Sequence, residues 1–294
     1  MKVLNYGSLN IDNVYSVDHF VRSGETMSSI QMEIFPGGKG LNQSIALAKS
    51  GVQVWHAGAV GKSDGDFLLE LMENVGVHIE LISKLPVKTG HAIIQRNRKG
   101  QNCILLFGGA NQQVTREQVD KVMEQFSEGD FLILQNEISE IGYIIEKAHE
   151  KKMKIVLNPS PMDEKIFTYP LRYVDYFILN EIEAKDLCGQ DGTGEELLER
   201  VSAKFPSAKV VLTLGEDGSF YKDGNMIIHQ SVFKVDTVDT TAAGDTFTGY
   251  LIGGLVQGET PKIAMENASK AAAIAVSRSG AAPSIPYRSE LDAQ

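Results

Sequence analysis

The residues best suited to chemistry in this 294-residue chain lie in Asp239-Thr240-Thr241-Ala242-Ala243-Gly244-Asp245-Thr246-Phe247. An acidic loop runs there through small side chains into an amphipathic helix expected over 244–256. Small residues at Ala242, Ala243 and Gly244 leave the first helical N–H groups bare, so an anion can approach them and the aligned peptide dipoles. Asp245 falls in the first turn, where the dipole favours its ionised form. An anion hole beside a fixed carboxylate suits phosphoryl transfer, in which the carboxylate takes a hydroxyl proton while the hole steadies phosphate charge. A plain helix start, with Asp245 only complementing the dipole, reads equally well from these residues alone.

Three further segments carry polar groups at telling places. Pro36-Gly37-Gly38-Lys39-Gly40-Leu41-Asn42 puts three glycines around a lysine, so backbone, a point charge and an amide can meet a polar ligand; a simple turn before a helix fits as well. Asn10 and Asp12 follow an apolar run and lie two apart, facing one side, where ligands of open α/β sheets gather; a turn with Asx-type bonds is the alternative. Asn180 and Glu183 share the first turn of a helix after another apolar run, which suits water-mediated Mg²⁺ binding or an ordinary capping box. Thr213-Leu214-Gly215-Glu216-Asp217-Gly218 suits a hairpin turn or backbone contact with a nucleotide. Gly61-Lys62-Ser63 ends like a phosphate-binding P-loop, but the required first glycine falls on His56, and no G-x-G-x-x-G follows the first strand. The six histidines have no metal-ligand spacing, and Ser160 and Ser284 lack a nucleophile elbow.

These residues need a scaffold, and the apolar pattern supplies one. Runs at 3–9, 53–60, 131–134, 154–157, 176–179 and 209–214 read as strands buried on both faces. They alternate with helical patterns at 42–50, 66–75, 116–126, 141–151, 195–204, 244–256 and 261–277, which implies a parallel sheet covered on both sides. The segment 28–35 and a hairpin, 91–96 with 102–107 around Asn97-Arg98-Lys99-Gly100, break the rhythm and predict a small antiparallel β-patch. One domain over 1–294, with that patch formed by about 11–36 and 88–108, is the expected organisation. Hydrophobic residues at 43% and charged residues at 22% exclude disordered, collagen-like and disulfide-scaffold classes. The charge of −10, from 28 basic against 38 acidic residues, argues against nucleic acid or an anionic membrane as partner. Cys103 and Cys188, far apart and flanked by apolar residues, read as core thiols. With no long apolar span and no leader pattern, a cytoplasmic enzyme is expected.

Gly7-Ser8-Leu9-Asn10-Ile11-Asp12, Pro36 to Gln43, and Val238 to Phe247 with its D-T-x-x-G-D pattern together resemble the ribokinase-like carbohydrate kinases, the PfkB family, from near residue 3 to Tyr287. The resemblance implies a three-layer α/β/α fold with a mostly parallel central sheet, plus a small antiparallel β-lid through which two subunits pair as a homodimer. It implies ATP-dependent phosphorylation of D-ribose at O5, with Asp245 as general base and Ala242, Ala243 and Gly244 as anion hole. It assigns Asn10, Asp12, Gly38, Lys39, Gly40, Leu41, Asn42, Glu137 and Asp245 to the sugar. To ATP it assigns Asn180, Thr213, Leu214, Gly215, Glu216, Asp217, Gly218 and Ser269, together with Gly244 and Asp245. Glu183 goes with Mg²⁺, and Asp239, Thr241, Ala275, Arg278, Gly280 and Ser284 with an activating K⁺ held largely by backbone carbonyls. Leu41 in place of the usual alanine, no proline before Gly24-Glu25-Thr26, and Gln135-Asn136 before Glu137 depart from the pattern around the pocket. Deoxyribose, a nucleoside or a keto-deoxy sugar acid are the alternative substrates; a sugar-binding regulator without catalysis is the alternative class.

Overall fold

A computed structural model describes residues 1–293. In chain order the elements are β1 (Val3–Tyr6), β2 (Asn10–Val17), β3 (Gln31–Gly37), α1 (Lys39–Lys49), β4 (Val54–Gly61), α2 (Asp66–Asn74), β5 (His78–Leu85), β6 (Gly90–Asn97) and β7 (Asn102–Phe107). There follow α3 (Arg116–Met123), β8 (Phe131–Gln135), α4 (Ile141–Glu150), β9 (Lys154–Asn158), β10 (Tyr176–Asn180), α5 (Glu181–Cys188) and α6 (Gly194–Lys204). The chain closes with β11 (Lys209–Thr213), β12 (Ser219–Asp223), β13 (Met226–Gln230), α7 (Ala243–Val256) and α8 (Pro261–Val276).

Nine strands form the central sheet in the order β13-β12-β11-β10-β9-β8-β1-β4-β5; β12 alone runs against the others, antiparallel to both β11 and β13, and the remaining pairs are parallel. Side chains alternate between its faces, so neighbouring residues enter different cores. Val3 packs with residues of α1, α2, α7 and α8, whereas Leu4 and Tyr6 pack with residues of α3, α4, α5 and α6. Full burial of each such aliphatic side chain stabilises the fold by roughly 1.5–3 kcal/mol. From β1 the chain runs outward to β4 and β5, then returns to β8 on the other flank of β1. Strand order therefore reverses at β1, and its carboxyl end opens the crevice in which doubly wound sheets bind ligands.

The second sheet has the order β3-β2-β6-β7. Its outer pairs are antiparallel, as expected, but the central pair β2–β6 is parallel. The reason lies in the connections: β2 follows β1 and β6 follows β5, both parallel strands of the main sheet, so both leave its carboxyl edge in one direction. Three details of the sequence reading change. Asn10 and Asp12 sit on β2 rather than in a turn, still facing one side. Helix α1 begins at Lys39, so Lys39 to Asn42 form its first turn. Cys103 is exposed on β7, and only Cys188 is partly buried. Among the described residues no helix is long and apolar enough to cross a membrane.

Candidate active site

Helix α7 starts with no side-chain cap: Ala242 occupies the N-cap position, and its methyl group offers no acceptor. Gly244 is exposed, and a Cβ built there would meet nothing within 4 Å, so the way to the first-turn N–H groups is open. Asp245, one residue on, is buried. Its Oδ2 accepts from Asn42 Nδ2 at 3.0 Å and its Oδ1 from Gln43 Nε2 at 2.9 Å, both from the first turns of α1. The two helices can approach this closely because Gly249 faces α1; a Cβ there would overlap Ala46 and crowd the Leu47 backbone. Burial pushes the Asp245 carboxyl above its ordinary value, against the Lys39 charge and the two amide donors. The dipole's preference for the ionised form is thus outweighed, and the group is a stronger proton acceptor than a solvated aspartate.

Glu137, just past β8, ties the ends of β1 and α1 together. Its Oε2 accepts from the Lys39 backbone N–H at 3.0 Å and from Ser8 Oγ, while Ser8 Oγ accepts from Gly40 N at 3.2 Å. Leu41 N–H donates to Ser8 O at 2.9 Å. Gly40 is required here, since a Cβ would overlap the Gly7–Ser8 backbone. Asn10 Oδ1 accepts from Asn111 Nδ2 at 2.8 Å, and Asp12 lies over Gly37, where any side chain would collide with its carboxylate. Burial and then the Glu137 charge push Asp12 up to about 6. Burial likewise raises Glu137, against Ser8 and Lys39. Burial works against the Lys39 ammonium, yet Asp245, Glu137 and Glu183 around it raise its pKa on balance. Asn42 Oδ1 is buried with no partner among the described residues. Leu41 is wholly buried in the apolar core, so it offers the pocket backbone only, and the bulk expected near the sugar loop points away from it.

The remaining assigned residues form two groups. Asn180 and Thr213 stand side by side at the ends of β10 and β11. Asn180 and Glu183 make the full capping box: Asn180 N–H donates to Glu183 Oε2 at 3.0 Å, Asn180 Nδ2 to Glu183 Oε1 at 3.1 Å, and Glu183 N–H to Asn180 Oδ1 at 2.9 Å. The capping interpretation of that spacing is realised, although Glu183 is also buried and faces Lys39. Leu214 to Gly218 fold into a tight turn, Leu214 N–H donating to Gly218 O at 2.8 Å, which leads into β12. Ser269 stands apart on α8, its Oγ donating to Ser231 O at 3.3 Å. The 239–241 and 275–284 segments are joined: Val238 and Asp239 N–H both donate to Val276 O, at 2.8 and 3.1 Å, and Gly280 N–H donates to Asp239 Oδ2 at 3.1 Å. Burial alone would raise the Asp239 carboxyl, but hydrogen bonds from Thr241 and Gly280 hold it low.

Ser8, Gln43 and Asn111 belong to this site but carry no signal as single residues. What marks the buried ones is their setting, polar side chains on or beside otherwise apolar strands.

A profile of the pfkB family carbohydrate kinases matches residues 1–288. The chain is 34% identical to ribokinase of Staphylococcus aureus, covering 99% of this chain and 98% of that protein. It is 28% identical to deoxyribokinase of Salmonella typhi, covering 97% and 96%. Ribokinase of Arabidopsis thaliana, solved with ribose and ATP, superposes over 99% of this chain and 97% of that one with a TM-score of 0.89 at 28% identity. The chain belongs to the pfkB family and has its ribokinase-like fold; it is a carbohydrate kinase.

Proposed function

We propose that this protein transfers the γ-phosphoryl group of ATP to O5 of D-ribose, giving D-ribose 5-phosphate and ADP. The observation that carries this reading is Asp245, a buried carboxylate held by two amides in the first turn of an uncapped helix. Asp245 takes the proton of the primary hydroxyl as O5 bonds to the γ-phosphorus, and the bond from that phosphorus to the β,γ-bridging oxygen breaks, releasing ADP. The first-turn N–H groups around Ala242, Ala243 and Gly244 receive the charge on the phosphoryl oxygens. Asn10, Asp12, Gly38, Lys39, Gly40, the Leu41 backbone, Asn42 and Glu137 ring the sugar, and the unpartnered Asn42 Oδ1 supplies an acceptor for one of its hydroxyls. Asn180, Thr213 to Gly218 and Ser269 line the nucleotide. Ribose kinases among the relatives support the substrate, and the deoxyribokinase relative makes 2-deoxyribose the second reading. A sugar acid fits poorly, because Asp12 and Glu137 face the pocket and Lys39 already answers three carboxylates.

Mg²⁺, when bound, neutralises charge between the β- and γ-phosphates. Both Glu183 oxygens accept from Asn180, so Glu183 would hold the ion through water, which suits a cation that keeps its hydration shell. K⁺ fits the joined 239–241 and 275–284 segments, whose available donors are oxygens; Arg278 would offer only its carbonyl, since a guanidinium is a cation with no acceptor and here turns to Glu290 at 2.6 Å. The ion's role there is to hold the loop that feeds α7. The smaller sheet serves as a lid that closes over the sugar and keeps water from the phosphoryl group. Ile34, Asn13, Ile93 and Leu105 stand in register across its four strands, and the exposed Ile34, Ile93 and Leu105 give it an apolar outer row that a second lid covers in a cytoplasmic homodimer. Leu105→Lys is expected to convert that dimer to monomer in light scattering coupled to gel filtration; an unchanged dimer mass would refute the lid interface.

ADP release from Mg·ATP across pentoses, hexoses, nucleosides and sugar acids, each in K⁺ and in Na⁺, tests the reading. The expected result is fastest turnover with D-ribose and dependence on K⁺. Preference for another acceptor would move the substrate while leaving the chemistry at Asp245. Asp12 adds a pH signature. Its raised pKa means that the carboxylate is charged above about 6 and protonated below it. Ribose binding that relies on the charged acceptor should weaken about tenfold between pH 7.5 and 5, measured by calorimetry. Affinity that stays flat across that range would remove Asp12 from the sugar contacts.

A further inference from the structure

Four neighbouring strands each present a polar side chain to the face that α1 and α7 cover: His56 on β4, Asn5 on β1, Gln135 on β8 and Asn158 on β9. Asn5 and His56 are register partners, as are Gln135 and Asn158. Their hydrogen bonds form one connected network that diverges at Gln135, donating towards Asp245 on one side and towards Gly7 O on the other. Gln43 Nε2 donates to Asp245 Oδ1 at 2.9 Å and to Asn158 Oδ1 at 3.2 Å; Gln135 Nε2 donates to Gln43 Oε1 at 2.7 Å and to Asn5 Oδ1 at 2.9 Å. Asn5 Nδ2 donates to Ser44 Oγ and to Gly40 O, both at 2.8 Å. Ser44 Oγ lies 2.8 Å from His56 Nδ1, and His56 Nε2 lies 3.2 Å from Gly7 O. A carbonyl can only accept, so Gly7 O fixes the proton on Nε2, Nδ1 accepts from Ser44, and every amide up to Asp245 is then oriented one way. Burial pushes His56 down to about 4, so the ring is neutral at working pH and the direction does not invert.

We propose that Gln43 is a positioning residue for Asp245, and that Gln135, Asn5, Ser44 and His56 act with it as one buried relay that aims its amide at the base. The inference rests on the phosphoryl-transfer reading of Asp245. A packed apolar face needs no such row, and the row leaves Gln135 Oε1 buried without a partner among the described residues. Asn5 meets the Gly40 backbone, but only the Gln43 end reaches Asp245. There it fixes one carboxylate oxygen and, with Asn42, favours the charged form that burial opposes. The charged groups facing Asp245 from the surrounding elements are Lys39 and Glu137, and neither belongs to the relay.

Gln43→Met, Gln135→Met, the double variant and Asp245→Asn separate the possibilities. Gln43→Met should lower kcat on the order of 100-fold, as a small misplacement of a reacting group does, with the sugar KM changed less than about twofold. The acid limb of its kcat–pH profile should move to higher pH, because Asp245 loses a donor that favours its charge. Gln135→Met, which does not touch Asp245, should move both readouts the same way by less, and the double variant should fall no further than Gln43→Met. An unchanged kcat and pH profile in folded Gln43→Met, or additive losses in the double variant, would overturn the relay. If Gln43→Met does not fold, Gln135→Met decides by the same two readouts. Turnover retained by Asp245→Asn would instead overturn the reading of the base on which the relay depends.

Discussion

Asp245→Asn is expected to reduce turnover by about 10³–10⁴-fold, the upper part of the range for losing a positioned base, while ribose affinity changes less than about threefold. The substitution keeps shape and removes only the ability to take a proton. Asn42 makes the exchange structurally easy. Its Nδ2 donates to Asp245 Oδ2, and turning the Asn42 amide over lets its oxygen accept from the new side-chain NH₂ while Nδ2 donates to the sugar hydroxyl that Oδ1 had served. Gln43 continues to donate to the retained carbonyl oxygen. Stability should hold or rise. The pKa of Asp245 is raised in the folded protein, so ionisation costs the folded state more than the unfolded one at neutral pH. An equal or higher Tm beside a collapsed kcat would mark a group kept for chemistry at the expense of stability. A variant that retains a tenth of wild-type turnover would show that O5 loses its proton elsewhere.

Lys39→Met should have the second largest effect, through charge. Lys39 faces Asp245, Glu137 and Glu183, and removing the ammonium leaves these buried carboxylates without their shared cation. The carboxyl of Asp245 then rises further, which disfavours the charged form that acts as the base. Turnover at pH 7 is expected to fall roughly 100-fold, with part of the loss recovered as pH rises and the carboxylate ionises. The sign separates this account from loss of a phosphate contact, which would lower the rate equally at every pH. Lys39→Arg should not rescue fully, because the planar guanidinium does not reproduce a compact ammonium charge that acts on three carboxylates at once.

How much of this was legible depends on where the signal lies. The strands β1, β8, β9, β10 and β11 were readable because parallel strands buried on both faces leave short, mostly apolar runs between the helical patterns. Strand β5 (His78–Leu85) was not, because its half-buried alternation is interrupted by charged residues. The turn at Gly215 to Gly218 joins β11 to the antiparallel β12, one of the two meanings that segment allowed, whereas the β12–β13 hairpin beyond it carried no comparable apolar signal. The parallel β2–β6 pairing follows from long-range connection and has no local mark. At the site, residues that act through backbone or charge, such as Gly244, Lys39 and Asp245, announced themselves by glycine and charge at a helix start. Gln43, Gln135, Asn5 and His56 did not, since each is an ordinary buried polar residue until the fold sets them side by side. The polar residue on each of four adjacent apolar strands was the available clue.

In the proposed reaction the primary hydroxyl of ribose is the acceptor, activated by Asp245. Its most direct test is ADP formation from Mg·ATP with D-ribose beside 5-deoxy-D-ribose, which keeps the ring contacts and lacks O5. Rapid turnover of ribose to the 5-phosphate is expected, with no turnover of the deoxy sugar, which should bind as a competitive inhibitor. Phosphorylation of 5-deoxyribose at a comparable rate, or phosphate found on another oxygen of ribose, would contradict it.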